Sequence, residues 1–185
     1  MSVHDDMLRA AMTESPAAGA VMSHERPVAK YRYALWRLFD SQPTPKWLSM
    51  ILINPSTADH EKPDPTLESC IRIARHSGYN GVVLANLFAL RSSKIQVMKA
   101  DSDPVGQHND DWIAAVARVG HARVAAWGAH GGHQQRDEAV IRDVLAPLQL
   151  GPWHCLVKTS EGRPGHPLYL PTATEWQSFS LEISP

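Results

Sequence analysis

At 185 residues the chain has the size of one domain, since domains run roughly 100 to 200 residues. Hydrophobic residues make up 43% and charged residues 20%, a balance that excludes intrinsic disorder and fibrous architecture. With 18 Lys and Arg against 19 Asp and Glu the net charge is −1, which argues against a protein that grips a whole duplex through many phosphate contacts. The two cysteines, Cys70 and Cys155, exclude a disulfide framework and a four-thiolate zinc or iron–sulfur site within the chain.

Residues 1–27 are expected to form a flexible N-terminal extension carrying a short helix over 5–12, and residues 28–185 a single α/β domain. The first residues, with Asp5 and Asp6, lack the basic start and apolar run of a secretory signal. Apolar stretches such as 47–53 and 82–90 fall short of the roughly 20 residues of a membrane helix. A cytoplasmic protein with no membrane partner is therefore expected. Over 31–39, Tyr31, Tyr33 and Leu35 alternate with Arg32, Ala34 and Trp36, which predicts an edge strand, and Pro43 and Pro45 then force a turn.

Residues 47–53, 81–87, 122–127 and 153–157 are short, mostly apolar runs, as strands buried on both faces read. Helical patterns separate them. Asp64-Pro65-Thr66 supplies an N-cap and a first-turn proline, after which Leu67, Cys70, Ile71 and Ala74 recur at helical spacing until Gly78. Further helices are predicted over 110–119 and 135–145. Strands alternating with helices imply a three-layer α/β/α domain around a central, mainly parallel four-stranded sheet, with the 47–53 strand at its centre and the 31–39 strand added at an edge.

In such a sheet ligands bind beyond the carboxyl ends of the strands, and the segments that follow these strands are the unusual ones. The first strand runs into Asn54-Pro55-Ser56-Thr57-Ala58-Asp59, and the second ends at Asn86-Leu87-Phe88-Ala89-Leu90-Arg91. The third leads into Trp127-Gly128, and the fourth into a Gly/Pro-shaped loop containing Arg163 and His166. Asn54 before Pro55 reads equally as a turn former. Asn86, an amide inside an apolar strand, must find partners, either nearby backbone or the donor–acceptor edge of a base. His166 lies outside any helical or strand period, where an imidazole can donate to an oxygen gaining negative charge. Asp59 and Asp64 are candidate general bases, Asp64 being also the expected N-cap. Phe88 is placed to stack on an aromatic ligand or to pack in the core. Arg91 and Arg163 are candidate phosphate contacts or part of a solvated charged face. His130 and His133 lack a third ligand at recognisable spacing, so no metal and no cofactor are expected.

The motifs Ile51 to Asp59, Asp64-Pro65-Thr66, Asn86 to Arg91, Pro104-Val105-Gly106, Asn109-Asp110, Trp127-Gly128 and His166-Pro167-Leu168-Tyr169, in that order over about residues 30–170, resemble a bacterial and phage family called domain of unknown function sixteen-forty-three. The same order is more distantly similar to the uracil-DNA glycosylase superfamily: an Asn-Pro or Asp-Pro loop after the first strand, an apolar strand ending in Asn, a Trp-Gly strand end and a late His-Pro loop. That resemblance implies a glycosylase-like sheet, with Asn54 holding an attacking water, Asn86 reading a pyrimidine edge and His166 stabilising the departing base; Ser56 stands where one branch has Gly. The expected function is a nucleobase-recognising domain that hydrolyses the N-glycosidic bond of a modified base or nucleoside. The alternative is a non-catalytic nucleotide or modified-base binding module. Expected partners are a nucleobase, a nucleoside or single-stranded nucleic acid, with weak duplex binding at most.

Overall fold

A strand buried on both faces must hand alternate side chains to two different cores, and the run over 81–86 does so. In the computed structural model, which describes residues 2–25, 28–56 and 64–182, Val83 and Ala85 enter one hydrophobic cluster while Val82 and Leu84 enter another. The elements in chain order are α1 (Val3–Glu14), β1 (Ala18–Met22), β2 (Arg32–Leu38), β3 (Trp47–Leu52), α2 (Pro65–His76), β4 (Gly81–Asn86), α3 (Ile95–Ala100), α4 (Asn109–Val119), β5 (Ala122–Ala125), α5 (Arg136–Val140), β6 (Trp153–Cys155) and β7 (Gln177–Phe179).

All seven strands form one mixed sheet in the order β1-β2-β4-β3-β5-β6-β7. Strand β3, fourth in that order, pairs parallel with β4 on one side and β5 on the other, and β5 pairs parallel with β6. The remaining pairs, β1 with β2, β2 with β4 and β6 with β7, are antiparallel. The expectation of a four-stranded sheet with one added edge strand is thereby corrected to a seven-stranded mixed sheet. The 31–39 segment is not an edge: β1 covers it, with Ala20 opposite Leu35 and Gly19 opposite Trp36. Gly19 is required there, because a Cβ would meet the Trp36 ring at 2.0 Å.

Helices pack on both faces. Leu8 of α1 and Ile113 and Val116 of α4 join the cluster that takes Val83. Leu67, Cys70 and Ile73 of α2 join the cluster that takes Leu84, Met50 and Leu52. Ser49, the polar break in the β3 run, is fully buried and donates its hydroxyl to the Val116 carbonyl at 2.5 Å, so strand β3 and helix α4 are tied through an otherwise apolar layer. Helix α2 starts where Asp64-Pro65-Thr66 predicts it, Asp64 Oδ1 accepting from the Leu67 amide at 2.8 Å. No described helix is long and apolar enough to cross a membrane.

The expected N-terminal extension carries α1 and β1. A capping box opens α1, the Ser2 amide donating to Asp5 Oδ2 at 2.6 Å and the Asp5 amide to Ser2 Oγ at 3.3 Å. Asp5 is only 2% exposed and pairs with Arg118 of α4 at 3.0 Å. Burial pushes the Asp5 carboxyl up, but the Ser2 amide and the Arg118 guanidinium outweigh it and hold the group below its ordinary 3.8. Its contribution to stability is thus present above that value and lost as pH falls through the lower folded value. Arg118→Met is expected to cost about 1 to 2 kcal/mol and to move acid unfolding to higher pH. Urea titrations across the acid range check both effects.

Candidate functional site

The parallel strands end at one edge of the sheet, and the loops beyond them close a cavity of about 30 Å³. Asn54, Ser56, Asp64, Asn86 and His166 all line it. Five residues from four separate segments, each singled out by its place after a strand or before a helix, share one cavity. Bounded by the described residues, its volume matches about one water molecule.

Asn86 closes β4 and is 2% exposed. Its Oδ1 is buried without a hydrogen-bond partner among the described residues. Leaving a buried acceptor unmade costs about 1 to 3 kcal/mol. The strand end that carries it is clamped: Asn109 donates its amide to the carbonyls of Asn86 and Leu87, each at 3.0 Å, and Arg136 Nε donates to the Leu87 carbonyl at 2.9 Å. Arg136 in turn grips Asp110 with both terminal nitrogens. The polar end of an apolar strand is therefore held by two buried side chains from other elements, which keeps the Asn86 carboxamide in place.

His166 follows Gly165, whose amide donates to the Val157 carbonyl at 2.6 Å. The Gly128 amide donates to the Pro164 carbonyl at 2.7 Å. Gly128 has φ +73 and a Cβ there would lie 3.4 Å from His166 Cβ, so the Trp127-Gly128 turn can lie against the His166 loop. His166 Nδ1 accepts the Leu168 amide at 3.3 Å. The neutral ring accordingly carries its proton on Nε2, which makes it a hydrogen-bond donor. Burial holds the imidazole below the ordinary histidine value of 6.5, against an opposing pull from Asp64. Because the unfolded chain takes up that proton first, the stability tied to neutral His166 is fully present above 6.5 and is lost as pH falls from there through the folded value. His166→Gln is expected to flatten the loss of stability between about pH 7.5 and about pH 5.5 relative to wild type, measured by urea unfolding at each pH.

Asn54 donates its amide to the carbonyls of Pro55 at 3.1 Å and Ser92 at 2.8 Å. Both amide protons are spent on the turn, and Oδ1 is the atom left for a ligand. Asp64 caps α2 with one oxygen and accepts the Ser56 hydroxyl with the other. Asp59 lies outside the described residues.

Other predicted residues lie elsewhere. Phe88 is fully buried, packs in the core, contacts the His133 ring at 5.8 Å between centroids and is not among the residues that line the cavity, so of its two expected roles the structure shows core packing. Arg91 does not line the cavity and donates Nη1 to the Ala29 carbonyl at 3.2 Å. Arg163 pairs with Asp137 at 2.9 Å and with Glu161, and lines a separate cavity with them. Its charge is answered within the protein by these two carboxylates. Arg32, which sequence reasoning missed as a site residue, lines the Asn86 cavity and is only 4% exposed. An arginine alternating with apolar and aromatic residues in a strand was its one signal.

Comparison with known proteins gives a match, over residues 32–168, to the family model described as Protein of unknown function (DUF1643). No curated protein and no solved structure matches the chain. The uracil-DNA glycosylase resemblance is corrected by these findings, because the matched family has no described activity and nothing in the comparisons ties it to a glycosylase.

Proposed function

Since the chain belongs to the DUF1643 family, whose description carries no activity, we propose from the geometry of the site that it recognises a nucleobase through Asn86 and hydrolyses the N-glycosidic bond of a modified base or nucleoside. The observation that carries the reading is the buried Oδ1 of Asn86, which has no hydrogen-bond partner among the described residues and lines the shared cavity. A carboxamide pairs with an edge that sets a donor beside an acceptor, as nucleobases do. A ring N–H or an exocyclic amino group would supply the hydrogen bond that Oδ1 lacks.

Hydrolysis requires that a water oxygen bond to the anomeric carbon while the C–N bond breaks and its electron pair leaves with the base. The Nε2 proton of neutral His166 is the donor available to the departing base. Asp64 is the carboxylate of the described cavity, and although both its oxygens are engaged, a carboxylate has lone pairs left to receive the proton of the attacking water. Asn54 Oδ1 would orient that water, and the fixed charge of Arg32 would offset negative charge in the cavity. Small nucleosides and single strands fit better than duplex, because the net charge is −1 and Arg163 is ion-paired.

A second reading, a binding module without cleavage, is favoured by one specific observation: Asn54 and Asp64 are both committed to backbone and helix-cap bonds. Incubation with a panel of nucleosides and single-stranded oligonucleotides carrying modified bases separates the two. Released base detected by mass spectrometry supports hydrolysis, saturable binding without release supports the module, and neither binding nor release contradicts both.

A further inference from the structure

A cavity of about 790 Å³ lies away from the Asn86 site, between α1, β1, the start of β2 and the segment leading into α4. His4 and His108 lie on its wall, with Tyr31, Tyr33 and Trp112 beside them. We propose that His4, His108 and Asp111 bind a divalent transition-metal ion such as Zn²⁺ at the edge of this cavity.

One ligand atom from each of the three residues lies within 4.8 Å of the others. Asp111 Oδ2 is 3.8 Å from His4 Nδ1 and 3.4 Å from His108 Nδ1. These separations are at or beyond the limit of a direct hydrogen bond, yet they suit ligands spread around one ion. With bonds of about 2.0 to 2.2 Å, neighbouring ligand atoms of a zinc site stand about 3.3 to 3.6 Å apart.

The three residues come from different places and each is held. His4 sits in the first turn of α1 and meets the Trp112 ring edge-on at 4.9 Å. His108 has φ 62, a left-handed conformation unusual for a residue with a side chain, and it begins α4 without capping the helix through its side chain. Asp111 stands in the first turn of α4. A carboxylate there is favoured by the helix dipole in any case, but Asp110, paired with Arg136, occupies the same turn, and the dipole does not account for two histidines converging on Asp111. Two imidazoles and one carboxylate suit zinc, cobalt, nickel or iron(II) rather than magnesium or calcium, which prefer oxygen. Three protein ligands leave coordination positions open, and the adjoining cavity has room for a water or a ligand donor.

The site shares no lining residue with the Asn86 cavity, so its test stands apart from the nucleobase reading. The untagged full chain, stripped with a chelator, is titrated with ZnCl₂ in competition with a chromophoric chelator, and bound zinc is counted by mass spectrometry. We expect one zinc per chain and a zinc-dependent rise in melting temperature. His108→Ala and Asp111→Asn, both at exposed positions, should each weaken zinc binding by about 10- to 100-fold or more and lose most of the zinc-dependent rise in melting temperature, each measured against the same variant without zinc. Absence of stoichiometric zinc overturns the proposal, as does wild-type affinity in both variants or tighter binding of Mg²⁺ than of Zn²⁺.

Discussion

Asn86→Leu is expected to leave the fold as stable as wild type, or firmer by about 1 kcal/mol, while weakening nucleobase binding by about a hundredfold. The two halves of this result have one cause. Oδ1 of Asn86 is buried without a partner among the described residues, and a buried acceptor that goes unused destabilises the folded state by about 1 to 3 kcal/mol. Leucine has nearly the same volume and adds no unmet polar group, and its neighbours Leu52 and Leu84 already line the cavity. A ligand, however, loses the paired donor and acceptor of the carboxamide, worth about 1 to 3 kcal/mol of recognition. Urea unfolding and calorimetric titration with nucleosides measure the two quantities separately. A variant destabilised by more than about 2 kcal/mol would show that the carboxamide supports the fold.

Arg136→Met is expected to act in the opposite sense, lowering stability by about 2 to 4 kcal/mol. Arg136 is 8% exposed, donates to the Leu87 carbonyl and forks onto Asp110, so the substitution removes charge-assisted bonds from a buried position. Asn109 still reaches Leu87 and Asp110, half exposed, can turn to water, which keeps the loss below that of a fully buried pair. Arg136→Lys should recover little, because a single ammonium cannot reach a carbonyl and both carboxylate oxygens at once. The end of β4 should loosen, and ligand binding should weaken along with stability. Urea unfolding of both variants checks the first part, and a loss below about 0.5 kcal/mol would mean that the clamp contributes little to the fold.

These residues also show what the sequence makes legible. Strands β3 and β4 are readable because both faces are buried and the runs 47–52 and 81–86 are almost entirely apolar. Helix α2 is readable because Asp64-Pro65 and Gly78 mark its ends. Strand β1 is not, since Ala18-Gly19-Ala20 has the composition of a loop and becomes a strand only by pairing with β2. Strand β7 has three residues and no period of its own; it exists because Trp153 to Cys155 offers it an edge.

The candidate site follows the same division. Asn54, Asn86 and His166 could be grouped in advance because parallel strands send their carboxyl ends to one edge. Arg32 could not, because β2 runs antiparallel to β4 and so delivers its beginning to that edge, a direction only the topology reveals. Phe88 and Arg163 also follow strands, but position after a strand does not say which way a side chain faces. Phe88 turns into the core and Arg163 toward Asp137.

The proposed function rests on the Asn86 carboxamide meeting a nucleobase edge. Its most direct test is the side-chain amide resonance of Asn86, assigned by its loss in Asn86→Leu and followed by NMR in the ¹⁵N-labelled protein during titration with nucleosides. A saturable shift of that resonance is expected, with the affinity measured by calorimetry, and no comparable binding to Asn86→Leu. A nucleoside that binds wild type and Asn86→Leu equally well, leaving the Asn86 amide unmoved, would contradict it.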